Sequence, residues 1–92
     1  MTVLAIFDVK GDTDALLVSY DKAMPRIVET APAKPVAHVC APTDDGIRVI
    51  DVWQSEEILQ DFVQNPQFQA AIAEAGLPAP EVHVLPVHRV GW

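Results

Sequence analysis

Apolar side chains fall into two rhythms along this chain, and the switches between them mark its elements. Residues 2–9, TVLAIFDV, set β-branched and aromatic residues at both parities before stopping at Lys10-Gly11-Asp12, the pattern of a strand covered on both faces. Asp12 or Thr13 stands where a helix cap is needed, and Asp14 adds charge to the first turn, where the helix dipole favours an anion. Leu16, Tyr20, Ala23, Met24 and Ile27 then keep the 3.6-residue period. This predicts a helix over residues 13–28, ended or kinked by Pro25 near Met24. TAPAKP reads as a connector. PVAHVCAP and GIRVIDVW flank Thr43-Asp44-Asp45-Gly46 and predict a β-hairpin, with Gly46 free to take positive φ in the turn. Ser55 caps the next helix, Glu56 and Glu57 fill its first turn, and Ile58, Leu59, Phe62 and Val63 form its apolar stripe. Asn65-Pro66 restarts the helix, carrying Phe68, Ala71, Ile72 and Ala75 inward until Gly76 closes it. Leu77-Pro78-Ala79-Pro80 leads to a last strand, EVHVLPVHRV, in which Pro86 forgoes a ladder hydrogen bond and so suits an edge.

The order βαββαβ predicts an α+β fold of the ferredoxin-like, split βαβ kind: a four-stranded antiparallel sheet with two helices on one face. No repeat or internal linker divides residues 1–92, so one domain is expected. Two helices cover one side of a sheet, yet strands one, three and four carry apolar side chains at both parities, such as Leu4 with Ala5 and Val84 with Leu85. A second copy of the chain is the simplest cover for the other face, giving a homodimer.

Composition narrows the partners. Half of the 92 residues are apolar and 21% are charged, well inside the range of chains that bury a core. Thirteen carboxylates against six Lys and Arg leave a net charge of −7, which repels phosphate and argues against nucleic acid and anionic membrane. The five-residue run Val3–Phe7 follows no basic region and meets Asp8, so neither a signal peptide nor a membrane span is expected. The lone Cys40 makes no internal disulfide, and a reducing cytoplasm is the natural setting. No Cys and His cluster has metal-ligand spacing and no glycine-rich phosphate loop is present; neither a metal nor another cofactor is expected.

The segment VWQSEEILQDFVQNPQF joins a strand ending in Trp, a Ser cap, an acidic first turn, an amphipathic helix and Asn-Pro-x-Phe. It resembles the dimeric α/β-barrel superfamily, in particular its antibiotic-biosynthesis-monooxygenase-like branch. The resemblance implies two ferredoxin-like subunits joined through their sheets, with a small-molecule pocket between each sheet and its helices. Members include cofactor-free monooxygenases, haem-degrading enzymes, polyketide cyclases and lactone isomerases, so the likeness speaks to architecture more than to activity. Many monooxygenase-like members have a histidine where this chain has Phe62. Haem ligation and histidine-dependent oxygenation are therefore not carried over, and Trp53 is the pocket residue that the resemblance supplies.

A short turn within TDDG sets His38 opposite Asp51, Cys40 opposite Val49 and Val36 opposite Trp53, and facing residues share a side of the sheet. If Trp53 faces the helices, so do His38 and Asp51. A carboxylate beside an imidazole in an apolar site fixes its tautomer and raises its basicity, as a general base requires; the plainer reading is a cross-strand pair that holds register. Cys40 shares that face as a substrate contact or, more simply, a small buried hydrophobe. Tyr20 and Met24 lie on the first helix's apolar stripe and Phe62 on the second's, where core and pocket wall are one surface. His88 is placed at the pocket mouth, with a surface role as the alternative; His83, five residues away, points to the opposite face. Arg48 takes the face away from the helices, where it needs a carboxylate partner or a route to solvent.

Together these residues predict a small cytoplasmic enzyme that binds an apolar, aromatic or polyketide-like molecule and moves a proton with His38 assisted by Asp51. Isomerisation, cyclisation and cofactor-free oxygenation all begin with such a step. The alternative is a non-catalytic dimeric ligand-binding or accessory protein in which the same pair is structural.

Overall fold

A computed structural model of the chain describes residues 1–91. It contains β1 (Val3–Lys10), α1 (Thr13–Thr30), β2 (Ala37–Thr43), β3 (Gly46–Trp53), α2 (Glu56–Gln64), α3 (Pro66–Ala75) and β4 (Glu81–Pro86). The four strands form one antiparallel sheet in the order β2-β3-β1-β4, so the expected ferredoxin-like α+β topology is present. The second helix is two helices. Asn65 ends α2 by donating its backbone N–H to Phe62 O and begins α3 by accepting from the Gln67 and Phe68 N–H groups on Oδ1, at 2.9 and 3.3 Å. One residue thus satisfies the orphaned groups of both ends, and Pro66 fits where no N–H is needed.

Pro25 does not end α1. The helix runs through it to Thr30, because the loss of one backbone bond is outweighed by continued burial of Ala23 and Ile27 on either side. Asp12 is the N-cap, accepting from the Ala15 N–H at 2.9 Å. The last strand stops at Pro86, four residues short of the apolar run that predicted it, since its partner β1 begins at Val3, opposite Pro86; one further backbone bond, from the Val87 N–H to Thr2 O at 2.9 Å, follows.

Gly46 also plays a different part from the one its turn position suggested. Its φ is not positive, unlike those of Gly11, Gly76 and Gly91; the constraint is space. Gly46 pairs with Lys10 on one side and Thr43 on the other, and a Cβ there would lie 1.9 Å from the Val9 carbonyl oxygen. Only a bare α-carbon lets β1 and the hairpin close to ladder distance.

Odd positions of β1 and β3 and even positions of β2 and β4 face the helices. Val3, Ala5, Trp53, Ala23, Ile27, Leu59, Phe62 and Ala71 make the main core, and Val9, Leu16 and Ile47 a second cluster at the other end. Trp53 is fully buried, with Phe62 packed on it at 4.8 Å between ring centroids and Phe68 on Phe62 at 4.6 Å; tilted pairs of this kind add about 0.5–1.5 kcal/mol beyond area burial. The opposite sheet face has no layer from the described residues. It presents Leu4, Ile6, Ile50 and Val52 half-buried and Val39 and Leu85 about half exposed. Arg48 lies there, as its parity required, and grips Asp8 with two bonds of 2.7 and 3.0 Å.

Gly46→Ala is expected to destabilise the fold by about 1–3 kcal/mol, the usual cost of forcing extra volume against packed neighbours. A denaturant midpoint equal to that of the wild type would show that β1 and β3 can part without loss.

Candidate functional site

A cavity of about 730 Å³ lies between the helix-facing side of the sheet and the helices, inside the size range of small-molecule sites. Its walls come from β1, β2, β3, β4 and all three helices, and its rim from two proline-bearing connectors that include Ala31–Pro35 and Leu77–Pro80. Most of the lining is apolar. Polar side chains enter it at Tyr20, Lys34, His38, Asp51 and Gln69.

The hairpin register places the first pair. His38 sits opposite Asp51 and Cys40 opposite Val49 as expected, while Val36 lies just before the ladder, which begins at Ala37; its N–H still reaches Val52 O at 2.7 Å. Asp51 is 4% exposed, the one buried charged side chain among the described residues. A carboxylate in an apolar layer is costly unless paired and hydrogen-bonded, and Asp51 is met by His38: imidazole Nδ1 bonds to Asp51 Oδ1. That contact fixes the imidazole's orientation. With Nδ1–H donating to the carboxylate, the free lone pair of neutral His38 is on Nε2.

Nε2 is also engaged. The Tyr20 hydroxyl, coming from α1, bonds to it, so three side chains from three elements form one chain, Tyr20–His38–Asp51. The tyrosine and imidazole rings are nearly parallel, with 6° between their planes and centroids separated by 6.1 Å.

Electrostatics follow this geometry. The bond to Asp51 raises the His38 pKa above its ordinary value of 6.5, against the opposing pull of burial. Burial pushes the Tyr20 hydroxyl up to about 12, with the acidic groups Cys40, Asp51 and Asp21 acting in the same direction, so Tyr20 stays a protonated donor at neutral pH. Burial raises the Cys40 thiol too, aided by Asp21, leaving it a poor nucleophile.

Of the residues singled out from sequence, His38, Asp51, Trp53, Tyr20, Met24 and Phe62 line the cavity. Cys40 lies on the same side of the sheet but packs against the Val9–Leu16–Ile47 cluster, outside the lining. His88 falls beyond the end of β4 and is exposed, so strand parity does not reach it, and it too lies outside the lining. Lys34 and Gln69 were missed: one is in a connector with no periodicity, the other on a helix position that reads as polar surface. Tyr20 was placed on the right face, but its bond to His38 joins a helix to a strand, and no spacing rule reports that contact. One buried donor has no partner among the described residues, the Trp53 indole N–H.

No protein-family model matches the chain, and no curated protein does. Solved structures do match. A candidate antibiotic biosynthesis monooxygenase from Chloroflexus aurantiacus J-10-fl is 25% identical, with a TM-score of 0.67 over 99% of this chain and 98% of that one. This chain has the fold of the antibiotic-biosynthesis-monooxygenase-like proteins. SnoaB, a cofactor-independent oxygenase from Streptomyces nogalater, shares that fold at 18% identity, TM-score 0.66, over 97% of this chain and 93% of its own. A dimeric ferredoxin-like protein of unknown function from Jannaschia sp. CCS1 shares it at 13% identity and TM-score 0.70, over 95% and 100%. Among the described residues, no helix is long and apolar enough to cross a membrane, and no group of three His, Cys, Asp or Glu side chains is placed to hold a metal ion.

The His38–Asp51 bond carries a pH signature. Because the folded pKa of His38 is raised, the pair's stabilisation is complete below the unfolded value of 6.5 and fades as pH rises through the folded value. Asp51→Asn keeps the shape and removes the charge, so it should lower the His38 pKa and flatten that dependence. NMR titration of the three histidines in both proteins measures it; an unmoved His38 would show that the carboxylate does not act on the ring.

Proposed function

We propose that this protein is a small enzyme that binds an apolar, aromatic or polyketide-like molecule and removes a proton from it with His38, assisted by Asp51. The observation that carries this reading is the Asp51–His38 bond set in the wall of a large, mostly apolar cavity. Asp51 holds the imidazole in the tautomer with a basic Nε2 and stabilises the imidazolium once the proton arrives, the two services a general base needs. The apolar lining favours a ring system over a sugar or nucleotide. The description of SnoaB as a cofactor-independent oxygenase supports chemistry run by side chains alone, in which the first event is formation of a substrate anion. Isomerisation and cyclisation share that event. A cytoplasmic setting suits the single free thiol.

2-Tetralone, a bicyclic ketone with acidic α-hydrogens, is a direct probe. The protein is expected to speed exchange of those hydrogens in D₂O, followed by proton NMR, and His38→Gln should return the rate to that of buffer, a loss of about 10²–10⁴-fold. Exchange undiminished in His38→Gln would remove His38 from the chemistry. Binding without exchange would favour the second reading, a dimeric ligand-binding or accessory protein.

The working unit in this proposal is a homodimer joined through the uncovered sheet face. Val39 and Leu85, both about half exposed, stand on that face beside Leu4, Ile6, Ile50 and Val52, an apolar surface of the kind that copies of a chain bury against each other. The Jannaschia protein, described as dimeric, supports it. Light scattering at micromolar concentration should give about 20 kDa, twice the 10.0 kDa chain; a monodisperse species of 10.0 kDa would rule the dimer out.

A further inference from the structure

The basic nitrogen of His38 is not open to the cavity: the Tyr20 hydroxyl occupies its lone pair. Its other nitrogen is held by Asp51, so the ring cannot turn to offer a free edge without breaking both bonds. Tyr20 itself lines the cavity, and its hydroxyl oxygen keeps acceptor capacity while its proton points at Nε2. An atom that arrives from the cavity therefore meets the tyrosine oxygen before the imidazole.

We infer that Tyr20 is the catalytic residue that touches the substrate's acidic hydrogen, relaying its proton to His38. In one step the substrate's C–H or O–H bond breaks and a new O–H bond forms on Tyr20, while the original Tyr20 O–H bond breaks and an N–H bond forms on His38 Nε2. The electron pair stays on the substrate as a carbanion or oxyanion, the imidazolium is held by Asp51, and Tyr20 ends as it began, neutral. Nothing is oxidised or reduced. The relay avoids a free tyrosinate, which suits a hydroxyl pushed up to about 12 by burial and by the acidic side chains Cys40, Asp51 and Asp21 around it. The acidic hydrogen it takes must be carried by a molecule that enters a mostly apolar cavity, as an α-hydrogen of an aryl ketone or a phenolic hydroxyl is.

This inference rests on the proposed function, and the two can fail separately. Tyr20→Phe removes one oxygen and keeps the ring. The relay predicts that it loses exchange of 2-tetralone α-hydrogens by at least about 10²-fold with little change in the concentration of ketone that half-saturates the protein. A direct attack by His38 predicts equal or faster exchange, because Nε2 is uncapped. Loss in His38→Gln with retention in Tyr20→Phe would overturn the relay and leave the general base standing; retention in both, or no exchange by the wild type, would overturn both. A second measurement avoids dependence on the variant's folding. Tyr20 is the chain's one tyrosine, so growth on 3-fluorotyrosine gives a single fluorine resonance from the intact site. That resonance should follow the titration of His38 and stop doing so in His38→Gln; a resonance indifferent to His38 would overturn the relay.

Discussion

A carboxylate set among apolar side chains must be paired, and Asp51 is such a carboxylate on a central strand. Much of the site follows from that requirement. Asp51 stands two positions from fully buried Trp53 on the same face of β3, so it cannot reach water along its own strand. Its partner has to come from a neighbour in register, and β2 supplies His38. Histidine brings a second nitrogen that also needs a partner, and α1 supplies Tyr20. Each polar group thus creates the demand that the next one meets, and the sequence of demands ends at the cavity.

Backbone choices remote from the cavity decide whether those partners line up. A slip of one residue in the β2–β3 hairpin would turn His38 to the face away from the helices. The register is held at Gly46, whose missing side chain lets three strands converge by the Val9 carbonyl. At the other end, Asn65 divides α2 from α3, so that Phe62 and Phe68 from two helices can stack in series beneath Trp53. The aromatic series and the polar series are the two ends of one cavity wall.

Much of this was legible in the sequence, and the physical reasons are specific. Alternation along a strand has a period of two, so one turn motif sufficed to place His38 opposite Asp51 and to send Arg48 to the other face, where Asp8 holds it. Caps are local chemistry, so Ser55 and Asn65 were readable from neighbouring residues. What escaped was set by distance along the chain. Pro25 stays inside α1 because of tertiary burial that a local rule does not see. The apolar run 81–90 overstated β4 because hydrophobicity says nothing about where the partner strand begins, and β1 starts at Val3, opposite Pro86; that error carried His88 toward a pocket it does not line. Tyr20's bond to His38 depends on how α1 lies over the sheet, which periodicity leaves open.

The rim of the cavity has a different kind of consequence. Pro35, Pro78 and Pro80 stand among its lining residues, in connectors that carry no helix or strand. Each ring fixes φ before folding begins, so ordering these segments sacrifices less chain entropy than a glycine or serine rim would. A threshold built this way has little give: its outline is drawn by pyrrolidine rings and does not close over an occupant as a flexible loop can.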